Sequence, residues 1–305
     1  MTTLAEQQNA RFAALDPLLP PIAAPPAPSN EPLVVTAGGR KAGGLLTHVV
    51  HAPGSWPTLW GPSDIRDLTA VPGDSGAAGL AALLGAWRDR LRGTPAGPDS
   101  ACSLTWPSRD AEGSAVLLAH GFAPMTCLAV RAPDPPAGPG TAPVTVRKAG
   151  DGDVDALTEL RLAEWRYTSL VGTAVPRPGA RALLRAEVVR SLRFSGLVWL
   201  AEEDGGVPAG LASCALTSAT PGNSVHGRLL PGRWGYVDTL SVAPAARGGG
   251  IGRALMAVAH RALLEHDVRG TFLFYHPANP LSPVFWHRQG YRPLWTMWLR
   301  RPAWS

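Results

Sequence analysis

Residues 236–255 read YVDTLSVAPAARGGGIGRAL. Tyr236 to Val242 mixes aromatic and β-branched residues, the composition of a strand. Pro244 ends it, because proline has no N–H to give a sheet ladder. Past the glycines, Ile251, Leu255, Val258, Leu263 and Leu264 recur at helical spacing as far as Glu265 and predict a helix of about four turns. A helix that opens on glycines presents unpaired backbone N–H groups at the positive end of its dipole. With no side chains in the way, a phosphate can approach that backbone closely. Arg247 adds a fixed positive charge at the mouth.

Two better-known glycine motifs are excluded by counting. A dinucleotide fingerprint, Gly-x-Gly-x-x-Gly, fails at Arg253 when started from Gly248 and at Leu255 when started from Gly250. A phosphate loop would need Gly-Lys-Ser/Thr, and no such triplet occurs. What fits is Arg-x-x-Gly-x-Gly at Arg247, Gly250 and Gly252, directly after a strand ending Leu240-Ser241-Val242-Ala243-Pro244. This arrangement resembles the pyrophosphate-binding signature of the GNAT superfamily of acyl-CoA-dependent N-acyltransferases.

Composition bounds the rest. At 305 residues and 45% hydrophobic, the chain can build two cored domains of about 150 residues each. No apolar run reaches the ~18–20 residues of a membrane-spanning helix, and the polar start at Met1–Asn9 does not read as a signal peptide. Cys102, Cys127 and Cys214 are odd in number and scattered, which points to the reducing cytoplasm. His48 and His51 are the nearest pair of histidines, and no metal-ligand spacing occurs. A net charge of +5, mostly dispersed arginine, suits a polyanionic cofactor and falls short of the basic stripe of a nucleic-acid binder.

In chain order, residues 1–31 read as a short amphipathic segment (Phe12, Leu15, Leu18, Leu19) running into a proline-rich strap at Ala24–Pro28. Strands are expected at Leu33–Thr36 and Leu45–Val50, with Gly38-Gly39 as the turn, and at Ser103–Trp106. A helix is expected at Leu80–Leu91, and Pro133–Pro143 is an interdomain linker on composition. The second half offers strands at Val144–Arg147, Leu197–Ala201, Ala209–Ala215, Thr271–Tyr275 and Tyr291–Arg300. Its helices are expected from Val154, at Arg181–Arg190 and at Pro280–Gln289, with a Pro/Gly-rich loop at Thr217–Arg233. The order β-α-α-β-β-β-α-β-α-β matches the mixed-sheet α/β fold of the GNAT family and lies within residues 144–305. The expected domains are therefore a Pro-rich segment at 1–31, a degenerate GNAT-like domain at 32–132, a linker at 133–143 and a catalytic domain at 144–305.

The first half earns that description from an internal repeat. At an offset of 169 residues Gly121 matches Gly290, Phe122 matches Tyr291, Pro124 matches Pro293 and Arg131 matches Arg300. A glycine closing a helix before an aromatic entering a strand is a physical unit. The fold class is thus α/β with two GNAT-like domains in tandem. The halves are not equivalent. Ahead of its helix the first carries Pro72-Gly73-Asp74-Ser75-Gly76, with no arginine and with an Asp74 that would repel a pyrophosphate. It is expected to bind no cofactor, to pack on the second half as one subunit of a dimer packs on another, and to wall the acceptor pocket.

The resemblance implies specific roles. Acetyl-CoA would be held by Leu240, Ser241, Val242, Arg247, Gly248, Gly249, Gly250, Ile251, Gly252, Arg253, Asn279 and Trp286. The Leu240 and Val242 backbone would pair with the pantetheine arm and acyl carbonyl, and an N–H on the developing oxyanion is the kind of contact worth ~2.7–4 kcal/mol. Asn279 reads equally as the N-cap of the helix opening at Pro280. Asp238 stands where many members carry a glutamate general base, and it reads equally as a structural ion pair. The tyrosine usually found seven residues after the asparagine is here Trp286, whose indole N–H cannot serve as an acid. Ser282, Tyr275 and His287 are the neighbours that could replace it. Glu164, Trp165, Tyr167, Trp234 and Tyr236 could line an amine pocket, or serve as core. The expected protein is an acetyl-CoA-dependent N-acetyltransferase acting by direct transfer on a primary amine of a small molecule, a peptide N-terminus or a lysine. It would act as a monomer, a pseudo-dimer of halves, or as a weak homodimer. Rival readings are transfer of a longer acyl group or from an acyl carrier, and a non-catalytic acyl-CoA sensor or scaffold.

Overall fold

The computed structural model describes residues 3–22, 31–135, 138 and 142–305. The proline-rich stretch at Ala24–Pro28 and most of the centre of the expected linker lie outside the described residues. In order the chain forms α1 (Leu4–Leu15), β1 (Glu31–Ala37), β2 (Arg40–Val50), β3 (Asp64–Val71), α2 (Gly76–Leu91), β4 (Ser100–Pro107), α3 (Ala111–Ala119) and β5 (Ala123–Arg131). There follow β6 (Thr145–Lys148), α4 (Val154–Val171), α5 (Ala180–Phe194), β7 (Val198–Glu203), β8 (Val207–Ser218) and β9 (Arg233–Val242). The chain ends with α6 (Ile251–Leu264), β10 (Thr271–Tyr275), α7 (Ser282–Arg288) and β11 (Arg292–Arg300). The series strand-strand-strand-helix-strand-helix-strand thus runs twice, as β1 to β5 and as β7 to β11. This is the mixed α/β, tandem arrangement expected from the sequence.

The chain divides into two compact units. Unit 1 comprises 1–128, 219–231 and 293–305; unit 2 comprises 129–218 and 232–292. These units do not follow the contiguous boundaries expected from composition. Unit 1 takes in the Pro/Gly-rich loop, where Val225 and Leu229 are buried, and also the last strand.

In unit 1 the strand order is β1-β2-β3-β4-β11-β5, with β3 and β4 parallel and β11 antiparallel to β4. Leu80, Leu83, Leu84 and Trp87 of α2 make up much of its core, with Leu68, Leu104, Trp106 and Trp304. α1 starts on a capping box in which Thr3 and Glu6 exchange hydrogen bonds, satisfying two of the N–H groups a helix start leaves open. In unit 2 the order is β10-β9-β8-β7-β6, antiparallel throughout except for the parallel β9–β10 pair. α6 buries Ile251, Leu255 and Leu263 of the expected face, with Val258 and Leu264 half-buried, and adds Met256 and Ala259.

The repeat is visible atom by atom at two glycines. Gly121 (φ +79°) follows α3 and Gly290 (φ +86°) follows α7, each in the left-handed region where a Cβ is penalised. The next residues, Phe122 and Tyr291, each send their N–H back into the preceding helix at 3.0 Å and bury their rings. The arginines closing the two last strands are exchanged. Arg300 of β11 lies beside Gly121 in unit 1, and Arg131 of β5 lies beside Gly290 in unit 2. A Cβ at either glycine would meet its arginine Nε at 3.5 Å. Gly121→Ala and Gly290→Ala should each lower stability by about 1–2 kcal/mol, the cost of a left-handed L-residue, as read by denaturant unfolding.

Candidate functional site

β9 pairs with β10 only at Gly235↔Thr271 and Tyr236↔Phe272. Beyond that point, among the described residues, the β10-facing edge of β9 runs from Val237 to Val242 without a strand partner. On its other edge β9 is fully paired to β8, with one interruption. Ser213 faces Thr239 and Cys214 faces Val237, so Asp238 is the extra residue of a bulge. A bulge turns the strand and re-aims the side chain it carries.

Where β9 ends, a short turn at Pro244–Ala246 leads to the glycines. Gly248 (φ +87°) and Gly250 (φ +85°) sit in the left-handed region, with nothing within 4 Å of where a Gly248 Cβ would stand. α6 starts at Ile251 with no side-chain cap, and its first internal bond runs from Ala254 N–H to Gly250 O at 3.1 Å. The N–H groups of Ile251, Gly252 and Arg253 precede it and have no partner within the helix. Arg247 is exposed; its Nε donates to Val242 O at 3.3 Å, and its guanidinium lies 4.9 Å from the centre of the Tyr167 ring. Gly252 faces Leu240 and the Phe285 ring, where a Cβ would come within 3.3 Å of carbon. These residues fit an anionic, extended ligand. Open glycine backbone and uncapped N–H groups are donors that suit an anion, and an unpaired strand edge suits an amide-bearing chain.

The remaining residues of the expected cofactor set divide. Ser241 is buried and donates to Leu160 O of α4 at 2.7 Å, so its side chain ties strand to helix. Arg253 is exposed on the first turn of α6. Asn279 is buried, and its Oδ1 accepts from Leu281 N–H (2.9 Å) and Ser282 N–H (3.2 Å) in a turn ahead of α7; the helix starts at Ser282 and not at the expected Pro280, so its N-cap is Leu281 and not Asn279. Trp286 is buried edge-on to Tyr291 at 5.4 Å. Tyr291 in turn bonds Thr271 Oγ1 (2.8 Å) and His260 Nε2 (2.9 Å), and burial pushes that imidazole down to about 3, keeping it neutral. Trp286 is thus part of the core. Tyr275 and His287 approach each other at 3.5 Å.

Across the sheet, α4 and α5 bring together a charged cluster that the sequence reading saw only in part. Arg161 of α4, its side chain 4% exposed, binds Asp238 Oδ2 at 2.7 Å. Thr239 Oγ1 donates to the same oxygen at 3.0 Å, and the Tyr236 hydroxyl also bonds the Asp238 carboxylate. Asp238 is therefore ion-paired, which is one of the two roles its position in the sequence offered. Half-buried Glu164, one helical turn from Arg161, accepts from Thr168 Oγ1 at 2.8 Å. Burial raises its carboxyl above the usual range, against the opposing pull of Arg161. A shallow recess beside this cluster is lined by Leu157, Arg161, Glu187, Val188, Ser191 and Ser213.

The expected acceptor residues scatter accordingly. Glu164 and Tyr236 meet in the cluster, where Tyr236 stacks on Phe272 at 4.8 Å and 13°. Tyr167 lies under Arg247 instead, beside the glycine loop. Trp165 is core, as is Trp234, which is 3% exposed and packs over Gly270 near the start of β9. Eight residues of strand, about 26 Å, separate it from Val242. Arg161 was missed from the sequence; its place three residues before Glu164 was the one available hint. Among the described residues no group of His, Cys, Asp and Glu could hold a metal ion, and no helix is long and apolar enough to cross a membrane.

Residues 156–291 match the family model of the acetyltransferase (GNAT) family. No curated protein matches the sequence. Among solved structures, a GCN5-related N-acetyltransferase from Sphaerobacter thermophilus superposes with a TM-score of 0.52 at 18% identity, over 87% of this chain and 79% of its own. A GCN5-related N-acetyltransferase from Kribbella flavida gives 0.46 at 18%, over 88% and 89%. A tandem GNAT protein from the clavulanic acid biosynthesis pathway gives 0.46 at 18%, over 100% and 98%. At such identities likeness speaks for the fold alone, and of these three only the first superposes closely enough to be used for it.

Removing one partner of the buried pair strands the other charge. Arg161→Ala and Asp238→Asn should each cost about 3–5 kcal/mol in urea unfolding, while Arg161→Met/Asp238→Leu should cost clearly less than the two singles combined.

Proposed function

We propose, from the match of residues 156–291 to the acetyltransferase (GNAT) family model, that unit 2 is an acetyl-CoA-dependent N-acetyltransferase that passes the acetyl group directly to a primary amine. The observation that carries this reading is the free edge of β9 running into the uncapped, glycine-opened start of α6. The edge from Leu240 to Val242 would hold the pantetheine arm and acyl carbonyl. Gly248, Gly249, Gly250 and the N–H groups of Ile251, Gly252 and Arg253 would hold the pyrophosphate, with Arg247 as counter-charge. Asn279 would add its side-chain amide. When bound, acetyl-CoA supplies an activated acyl thioester.

The acceptor arrives as an ammonium ion, and the cluster on the α4–α5 side suits it. Glu164, Glu187 and Asp238 carry three carboxylates against Arg161 and Arg190. Because Asp238 is occupied by Arg161, we assign it to positioning and assign proton removal to Glu164. Glu164 has a raised affinity for the proton that the amine must lose before its lone pair can attack. Tyr236, bonded to Asp238, forms the aromatic floor with Phe272. At the departing sulfur, Trp286 offers no acidic proton, and a thiol with a pKa near ~8.5 can leave without a dedicated donor. Ser282, at the start of α7, would be a hydroxyl available on that side. The acceptor would be a primary amine of a small molecule, a peptide N-terminus or a lysine. Cytoplasmic residence accords with three free thiols.

The buried Trp286 also supports a second reading, an acyl-CoA-binding sensor without turnover. Calorimetry separates the readings in order. Acetyl-CoA should bind at one site per chain, and Arg247→Ala/Gly250→Asp should abolish binding; no binding to the wild type would overturn both readings. With an amine panel, Glu164→Gln should lower kcat at least about a hundredfold with acetyl-CoA affinity retained. No turnover by the wild type alongside tight binding would favour the sensor.

The pH behaviour has a definite sign. The Glu164 pKa lies above its ordinary 4.5 in the folded chain, so ionising it costs stability above that value. Activity needs the ionised form, so kcat/KM should fall as pH drops through this raised pKa. Glu164→Gln should lose that limb and gain stability at neutral pH.

A further inference from the structure

Unit 1 repeats the wedge of unit 2, and something already lies in it. β3 and β4 pair in parallel from Asp64↔Ser100 to Asp67↔Ser103, after which β3 runs to Val71 and β4 to Pro107 without pairing to each other. As β9 leads through glycines into α6, β3 leads through Gly73 (φ +57°) and Gly76 (φ +53°) into α2, which likewise lacks a side-chain cap. At the repeat offset Asp110 is the counterpart of Asn279; like Asn279 it accepts from backbone N–H at a helix start, here as the N-cap of α3 from Gly113 N–H at 3.0 Å. The strand edge, glycine turn, uncapped helix start and helix-start polar residue of the second unit's proposed cofactor groove therefore have first-unit equivalents, and Arg247 does not.

α1 reaches all of them. It lies against β2, β3 and the turn before α2. Gln8 is fully buried, and its Oε1 accepts from Gly73 N–H at 2.9 Å. Arg11 donates to Asp110 Oδ2 at 2.7 Å, and its Nη1 fills the space at Gly76, where a Cβ would come within 2.5 Å. Leu4 fills the space over Gly43 and Gly73 in the same way. Phe12, 5% exposed, stands edge-on to Trp106 of β4 (6.4 Å) and Trp295 of β11 (5.4 Å). One helix thus supplies an acceptor oxygen to the glycine turn, a cation to the cap of α3 and apolar side chains to the cleft. Surface packing alone would not require a glutamine with no exposure and its carbonyl on a glycine N–H.

We propose that α1 is an intrachain occupant of the first unit's cofactor groove, taking the place that acyl-CoA would take in unit 2 and closing unit 1 to nucleotide cofactors. The identity of the excluded ligand rests on the acyl-CoA reading of unit 2; the place of α1 does not. Asp74 and Asp110 make the groove acidic, so it accepts a helix carrying arginine and repels a pyrophosphate.

Hydrogen–deuterium exchange of the full chain, with and without acetyl-CoA, tests this. In the wild type the amides of Leu4–Leu15 should be strongly protected, although an isolated helix of that length is marginal in water. Acetyl-CoA should slow exchange over 236–256 and leave 72–79 and 104–114 unchanged. Gln8→Ala/Arg11→Ala should speed exchange in α1 at least about tenfold. Should that variant misfold, Asp110→Asn, which keeps the cap on α3 and removes the charge facing Arg11, should move the same amides in the same direction. Unprotected α1 amides in the wild type, unchanged α1 exchange in the variants, or slowing by acetyl-CoA at 72–79 would each overturn the proposal. Slowing by acetyl-CoA in neither unit would overturn the acyl-CoA reading alone, and the variants would still decide the place of α1.

Discussion

Parallel pairing between β9 and β10 stops at Tyr236 and Phe272, and most of unit 2 depends on what that interruption leaves. A strand buried in a sheet cannot keep an unpaired edge without some other partner for its N–H and C=O groups. Unit 2 keeps such an edge from Val237 to Val242. The bulge at Asp238 lies in the same few residues and turns the strand there. The glycines that follow continue the exposed backbone into a helix start with no cap. The polar groups left open are therefore contiguous, from an extended edge to a helix terminus, and a ligand that serves them has to be long, amide-rich at one end and anionic at the other.

Unit 1 meets the same constraint with protein. Its β3 and β4 part after Asp67 and Ser103, and α1 supplies what a ligand would otherwise supply. The two solutions differ in charge. The turn in unit 2 carries Arg247 and no acid, whereas the turn in unit 1 carries Asp74 and faces Arg11 from the helix. A permanent occupant tolerates an acidic groove, because its own guanidinium meets Asp110 at 2.7 Å. A groove reserved for an anion does not tolerate one.

Much of this was legible in the sequence because it rests on local chemistry. The strand, turn and helix at 236–264 followed from β-branching, Pro244 and helical spacing, and the repeat followed from two helix-ending glycines each followed by an aromatic. The turn at Gly38-Gly39 and the strand at Thr271–Tyr275 likewise need no tertiary context. β3 escaped because Asp64, Arg66 and Asp67 interrupt its apolar alternation, and two of these side chains are satisfied only by distant partners such as Trp304 O and Ser103. The exchange of Arg131 and Arg300 escaped for a related reason. A gapless repeat gives the two last strands the same pattern, and nothing in that pattern says which glycine each arginine will meet.

The charged cluster adds to motif position what the sequence could not supply. Asp238 stands where a general base is expected, and the fold gives it a buried cationic partner. Arg161 could not be foreseen as that partner, since positions 77 apart are brought together only by the packing of α4 on β9. Once that pair forms, two of the cluster's charges are committed to each other in a place where either alone would be costly. What is left free to titrate is Glu164, buried enough to hold its proton more tightly than usual and bonded by a single hydroxyl. On the proposed reading the two carboxylates would therefore divide the work: Asp238, tied to Arg161, would fix geometry, and Glu164, whose burial raises its affinity for a proton, would take one from the incoming amine.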